Sequence, residues 1–417
     1  MKILHNISEC LTMAGGPRRG SAMAQPGLIR DTAVVMEGEV IVDVGGSDEM
    51  LGRYPNEERI DAAGRAVVPG FVDPHTHLVW VGDRANEFEM RLQGKTYMEI
   101  MAAGGGILAT LTATRQADLE TLVSESQARA ERAFSYGTTT MEAKTGYGLD
   151  LETEFRQLEA ILLIDQQGPL ELVPTYMGAH AIPKDYPGGT AAFTDWLCEV
   201  ALPETKKWWQ EHAPEKPLPF NDVFCEQGVF EIEDTRRILQ RGEELGFRSK
   251  LHADEFVNLG GASLAAEIGA VSADHLVKTS LEDIKRLAAS ETVAVSLPGT
   301  PFGLGQQEYT PARAIIDAGG YLALATDLNP GTTWNESMQF IQALACRTMK
   351  LTPAEALAAS TINAAKAVGL EDKIGSIEVG KQADLLVLEV PDYRHLTYRY
   401  GTNLVAEVYK KGVRYVN

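Results

Sequence analysis

The 417-residue chain holds only eight histidines, and five of them, His75, His77, His180, His252 and His275, fall just after a short apolar run of strand length. Imidazoles gathered at strand ends can hold a metal ion, move a proton or contact a ligand. In Val72-Asp73-Pro74-His75-Thr76-His77 the two histidines stand two residues apart. On extended chain they project to the same side and can face one ion. Such a pair by itself is equally compatible with two satisfied side chains lining a core, but more ligand types follow. His252, in Lys250-Leu251-His252-Ala253-Asp254-Glu255, offers a third neutral nitrogen suited to zinc or ferrous iron. Asp327 ends the apolar run Ala323-Leu324-Ala325-Thr326, where a carboxylate lacking a cation or donors is costly to bury. Its competing role is an N-cap for the next segment. Three histidines and one aspartate leave a position open for water, the layout of a catalytic site. A bound ion brings that water's pKa to ~7 and makes hydroxide available at neutral pH.

Two further residues could act beside the ion. Glu255 lies three positions after His252 and can reach back over the site as a proton shuttle, whereas Asp254 reads equally well as an acidic residue at a helix start. His275, in Ala273-Asp274-His275-Leu276, can bond the attacking water or steady a developing oxyanion, or be a satisfied core histidine.

These residues need a frame that brings strand ends together. Eight apolar runs, 66–72, 138–142, 170–176, 222–225, 247–251, 271–274, 293–297 and 321–326, alternate with segments of helical period such as 118–136. Eight strand–helix units of this size predict a (β/α)8 barrel of the TIM type, whose active site lies at the C-terminal ends of its strands. Both chain ends read differently: 33–36 and 40–44 near the start, and 383–390 and 405–409 near the end, are β-rich. The expected organisation is a catalytic barrel over 66–374 and a small β-sandwich domain built from 1–65 plus 375–417.

Composition narrows the function classes. A hydrophobic share of 44% and a charged share of 23% are ordinary globular values. A net charge of −20 argues against nucleic acid as a partner. It leaves a small anionic substrate open, since one local arginine outweighs a screened distant field. Cys10, Cys198, Cys225 and Cys346 lie far apart, which disfavours a disulfide framework or thiolate zinc site and points to a reducing, cytoplasmic setting. No run is long enough for a membrane span, so no membrane partner is expected. A homodimer stays open as an assembly.

Over nearly its whole length the chain resembles the imidazolonepropionase family, amidohydrolase-superfamily enzymes of histidine degradation. Carrying the resemblance are Pro69-Gly70-Phe71-Val72-Asp73-Pro74-His75-Thr76-His77-Leu78, Glu87-Phe88-Glu89-Met90-Arg91-Leu92 and Gly104-Gly105-Gly106-Ile107. With them go Glu142-Ala143-Lys144-Thr145-Gly146-Tyr147-Gly148-Leu149-Asp150, Gly178-Ala179-His180-Ala181-Ile182-Pro183 and Ala325-Thr326-Asp327-Leu328-Asn329-Pro330-Gly331-Thr332. The His-x-His and the strand-eight aspartate are superfamily-wide; the Lys-x-Gly-Tyr-Gly and Gly-Ala-His segments are narrower. The resemblance implies hydrolysis of 4-imidazolone-5-propanoate to N-formimidoyl-L-glutamate with one divalent ion, zinc or iron. It implies His75, His77, His252 and Asp327 as ligands, with Glu255, His275 and Asp327 as the catalytic residues. Substrate contacts would come from Arg84, Tyr147, His180, Glu255, Asn329, Gly331 and Thr332. Lys144 invites a carbamylated bridge between two metals, but it follows strand two rather than the strand that carries such a bridge in dinuclear relatives, so one ion is expected.

Two other readings compete. A nucleobase deaminase of the same superfamily would share the ligands, Glu255 and His275, but has no need of an arginine such as Arg84 for a carboxylate tail. A non-catalytic barrel acting as a scaffold would typically have lost ligands that this chain retains.

Overall fold

The computed structural model describes residues 1–95, 99, 105–184 and 186–417, so Gly104 of the glycine turn lies outside the described residues. The N-terminal arm contributes β1 (Lys2–Leu11), β2 (Leu28–Glu37), β3 (Val40–Gly46), β4 (Glu58–Asp61) and β5 (Val67–Pro69). Then follow β6 (Phe71–Asp73), β7 (Thr138–Lys144), β8 (Glu171–Ala179), β9 (Phe220–Cys225), β10 (Arg248–Ala253), β11 (Ser272–His275), β12 (Val293–Ser296) and β13 (Leu322–Leu324). The C-terminal arm adds β14 (Leu385–Leu388), β15 (Val405–Lys410) and β16 (Val413–Val416).

Both arms form one eight-stranded sheet, in the order β16-β15-β14-β5-β1-β2-β3, with β4 also on β1. In β1 and β2 both faces are apolar and both are covered. Ile3, Ala33 and Val35 pack with Met50 of helix Ser47–Arg53 on one side. Leu4, Val34 and Met36 join Val67, Leu385, Val387 and Tyr409 on the other. The expected sandwich is thus hydrogen-bonded as one continuous sheet, its halves joined where β1 meets β5 at Cys10 and Val67. The arms also touch at turns: Gly412 sits at φ 71°, and a Cβ there would come within 2.2 Å of the Gly38 carbonyl, so only glycine fits.

The run 66–72, expected as a single barrel strand, is two strands. Val67–Pro69 pairs with β14 in the terminal sheet, and Phe71–Asp73 opens the barrel beside β7. The switch falls at Gly70, whose N–H donates to the Asp384 carbonyl at 2.9 Å while Phe71 N–H donates to the Gly137 carbonyl at 3.0 Å.

Strands β6 to β13 are parallel neighbours in sequence order. The first and last meet through the residues just beyond them: Thr76 pairs with Leu328, His77 N–H donates to the Leu328 carbonyl at 2.9 Å and Asp327 N–H to the His75 carbonyl at 3.1 Å. Thr326 closes the same seam by donating from N–H and hydroxyl to the Asp73 carboxylate at 3.0 and 2.5 Å. The barrel is therefore shut by residues that neighbour the candidate ligands. Around it pack capped helices; Leu119–Ser135 starts at Asp118, whose carboxylate accepts from Thr121 N–H, and buries Leu122, Ala130, Ala133 and Phe134. No helix among the described residues is long and apolar enough to cross a membrane.

Candidate active site

Each candidate ligand stands where a strand has just ended or is ending. His75 and His77 follow β6, His252 is the penultimate residue of β10, and Asp327 follows β13. Their free atoms converge: His75 Nε2 lies 3.6 Å and His77 Nε2 3.9 Å from Asp327 Oδ1, and His252 Nε2 lies 3.4 Å from His77 Nε2. Donors around a tetrahedral ion with bonds of ~2.0–2.1 Å stand about 3.4 Å apart, so this spacing suits a divalent ion. His75 Nε2 is buried and has no hydrogen-bond partner, an orphan that an ion would satisfy. Burial, reinforced by the neighbouring cations and imidazoles, holds the pKa of His75 and of His77 well below the usual histidine range. Both are thereby kept neutral, the form that binds metal. His275 comes equally close, forming with His75 and His252 a second triad that shares His75.

Backbone strain marks the same ring. His275 at φ 75° and Asp327 at φ 53° occupy the left-handed region, which costs free energy and concentrates at functional sites. Asp327 also accepts from the Thr300 hydroxyl, and burial pushes its carboxyl up to about 6.

Above the ligands opens a cavity of about 680 Å³. Arg84, Tyr147, His180, Glu255, Asn329, Gly331 and Thr332 all line it, together with His77, His252, His275 and Asp327. His75 lies beneath, fully buried. The His180 ring stacks on His77 with centroids 4.8 Å apart, and Tyr147 lies 5.3 Å from His180. Burial lowers His180 to about 4. Asn329 organises the last loop: its Oδ1 accepts from Gly331 and Thr332 N–H at 2.8 and 2.9 Å. Glu255 Oε1 stands 3.7 Å from His275 Nδ1, and burial with the nearby carboxylates Asp327 and Glu226 raises its pKa well above the ordinary value. Asp254 turns away to structural work, accepting from Gly261 and Ala262 N–H at the start of helix Gly261–Ile268 and from the Thr279 hydroxyl.

Sequence reading missed what lies below. Asp274 meets His75 Nδ1 at 2.6 Å, and Asp222 meets His252 Nδ1 at 3.1–3.2 Å. Lys144, rather than bridging metals, is paired with Glu142 and Asp222. The available signal was charged residues inside strands that otherwise read as buried, where each must find a partner. Thr300 was missed as well, whereas Glu87, which the sequence offers with Asp83 as a loop partner for Arg84, holds that arginine through both carboxylate oxygens at 2.9 and 2.7 Å.

Barrel, ring of donors and cavity define a member of the amidohydrolase class, and two amidohydrolase family models match, over residues 231–414 and 58–115. Solved structures of similar fold include a triazine hydrolase variant (TM-score 0.74, 16% identity, covering 100% of this chain and 94% of that one). Another is E. coli guanine deaminase (TM-score 0.70, 17% identity, 100% of both chains). Curated relatives are far nearer in sequence. The imidazolonepropionase of Herpetosiphon aurantiacus is 49% identical over 99% of this chain and 96% of its own length. That of Symbiobacterium thermophilum is 49% identical over 98% and 96%. The chain belongs to the imidazolonepropionase family, and it is a hydrolase.

Proposed function

We propose that this chain hydrolyses the ring amide of 4-imidazolone-5-propanoate to N-formimidoyl-L-glutamate, using one zinc or iron ion held by His75, His77, His252 and Asp327. The observation that carries the reading is that His75 Nε2 and His77 Nε2 gather on Asp327 Oδ1, with His252 Nε2 against His77, at the floor of a cavity that Arg84 also lines. When bound there, the ion supplies a water activated for attack and polarises the ring carbonyl.

The chain's own groups do the rest. Arg84 offers a planar fork for the propanoate carboxylate, and Asn329, Gly331 and Thr332 form the wall beside it. Tyr147 and His180 bound the ring on the other side, and burial keeps the tyrosine protonated as a donor. Glu255, next to His275 and facing the cavity, takes a proton from the attacking water and returns it to the leaving ring nitrogen. His275, neutral because burial holds its pKa well below the usual range, donates a hydrogen bond to the developing oxyanion. A deaminase reading is less well supported, since the relatives 49% identical over nearly the whole chain are imidazolonepropionases. All four cysteines are free, which supports a reducing compartment.

The test is direct. Purified protein should carry close to one zinc or iron per chain and convert imidazolonepropionate, with product followed by loss of substrate absorbance. A His75→Ala/His77→Ala double variant should lose both metal and turnover. Full metal content in that variant would overturn the ligand assignment, and a metal-loaded parent inert towards this substrate would overturn the activity.

A further inference from the structure

Under the ligand histidines the barrel interior contains a closed ionic lattice that the hydrolytic steps do not use. Lys144, at the end of β7, is fully buried among three carboxylates: its Nζ lies 2.9 Å from Glu142, 2.7 Å from Asp222 and 3.7 Å from Asp274. Lys250, two residues before His252 on β10, reaches Glu142 at 2.9 Å and donates to the Pro74 carbonyl, just before His75, at 2.9 Å. All five side chains are fully buried.

Two of the three carboxylates also face an imidazole. Asp222 faces Nδ1 of His252, and Asp274 faces Nδ1 of His75. A carboxylate accepting from Nδ1–H fixes the ring's tautomer and turns the Nε2 lone pair towards the ion. Two such carboxylates converging in a dry interior repel one another unless a cation lies between them. Lys144 occupies that place, so one ammonium connects, through two carboxylates, imidazoles carried by different strands. The lattice holds two cations against three carboxylates; with Asp327 the net excess is two negative charges, which a divalent ion neutralises.

We propose that Lys144 is a positioning residue for the metal: it clamps Asp222 and Asp274 so that His252 and His75 stand in the ligating tautomer before the ion arrives. The competing role is charge compensation alone, with Lys144 there only to keep the buried acids tolerable to the fold. The inference rests on the metal site proposed above.

A charge-balanced pair of changes separates the two roles. Lys144→Met alone leaves an uncompensated buried acid and can fail to fold. Lys144→Met/Glu142→Gln removes one charge of each sign and keeps an acceptor for Lys250, but leaves Asp222 and Asp274 without their common cation. Metal-free parent and double variant would be compared by thermal unfolding and by zinc affinity in chelator competition. The expected result is a folded double variant that binds zinc about 10–100-fold more weakly than the parent, the usual cost of losing an outer hydrogen-bonding partner. A folded double variant with parental zinc affinity would overturn the positioning role and leave compensation.

Should the double variant not fold, the metal-free parent still decides. Nitrogen-15 spectra of its histidines should show His75 and His252 as neutral Nδ1–H tautomers. Rings that exchange between tautomers until zinc is added would sink the idea. A parent that takes up neither zinc nor iron would instead remove the metal site itself, a different failure from a parent that binds metal and a variant that binds it just as well.

Discussion

Arg84 is held by one acid and is proposed to bind another. Glu87 grips its Nε and Nη2, and the same Glu87 accepts from Gly106 N–H at 2.9 Å, while Arg84 lines the substrate cavity. The sequence allowed either a substrate carboxylate or a neighbouring acid as partner; in the fold Glu87 holds one edge of the guanidinium while Nη1 lies against Gly331. Because Glu87 already offsets the charge, a bound carboxylate adds a charge-assisted hydrogen bond rather than rescuing a bare cation. Arg84→Met should therefore lower kcat/KM by roughly 1.5–3 kcal/mol, about ten- to a hundred-fold, with metal content unaltered. Steady-state kinetics and elemental analysis check both; an unchanged kcat/KM would place the carboxylate elsewhere. At this scale the candidate ligands were legible because histidine is scarce here and recurs at strand ends. Asp222 and Asp274 were not legible as their orienters. Which imidazole a carboxylate meets depends on how β9, β10, β11 and β6 stand around the barrel, and no local spacing encodes that.

Among the elements, the strand-to-loop transitions carry the candidate site. The loop after β13 turns at Asp327, is tied by Asn329 to the N–H groups of Gly331 and Thr332, and presses Gly331 against Arg84. A Cβ at position 331 would come within 2.3 Å of Arg84 Nη1. That nitrogen ends a flexible side chain, so the fold can yield, but Glu87 fixes the other edge of the fork and the guanidinium must leave its place. Gly331→Ala should thus raise KM by about ten-fold, the scale of one weakened charge-assisted hydrogen bond. Gly331 is itself buried, so stability should also fall, by about 1–3 kcal/mol, the scale of overpacking at a filled position. A parental KM would show that Arg84 tolerates displacement. All eight barrel strands were visible in the sequence as apolar runs between helical segments. The splitting of 66–72 was not, since both halves are apolar and the switch at Gly70 is decided by Asp384, distant in sequence and adjacent only in the fold.

At the scale of the whole molecule, the two sheets are joined by a partly buried ion cluster at the end of the barrel away from the site. Glu171, the first residue of β8, meets Lys410 of β15 at 3.0 Å and Lys373 at 2.8 Å, and Lys410 also meets Asp384 at 2.8 Å. That two β-rich termini build one unit was readable from composition along the chain; that Lys410 would find Glu171 was not, because the partners lie in different sheets. Burial alone would raise the Glu171 carboxyl, but Lys410, with Lys373 and Gln382, outweighs it and holds the pKa far below its ordinary 4.5. A depressed carboxylate pKa contributes stability that is complete above the unfolded value and is lost as pH falls through the folded one. Glu171→Gln should therefore destabilise the protein at pH 7 by about 1–3 kcal/mol, the scale of a desolvated group losing its charged partner. The difference from the parent should hold from pH 7 down to about 4.5 and narrow below it, because the parent alone loses the contribution as Glu171 takes up its proton. Urea unfolding of metal-free parent and variant across this range measures it without interference from the ion. A difference that stays constant below pH 4.5 would mean that Glu171 acts through packing, and that the pairing with Lys410 contributes nothing to holding the terminal sheet on the barrel.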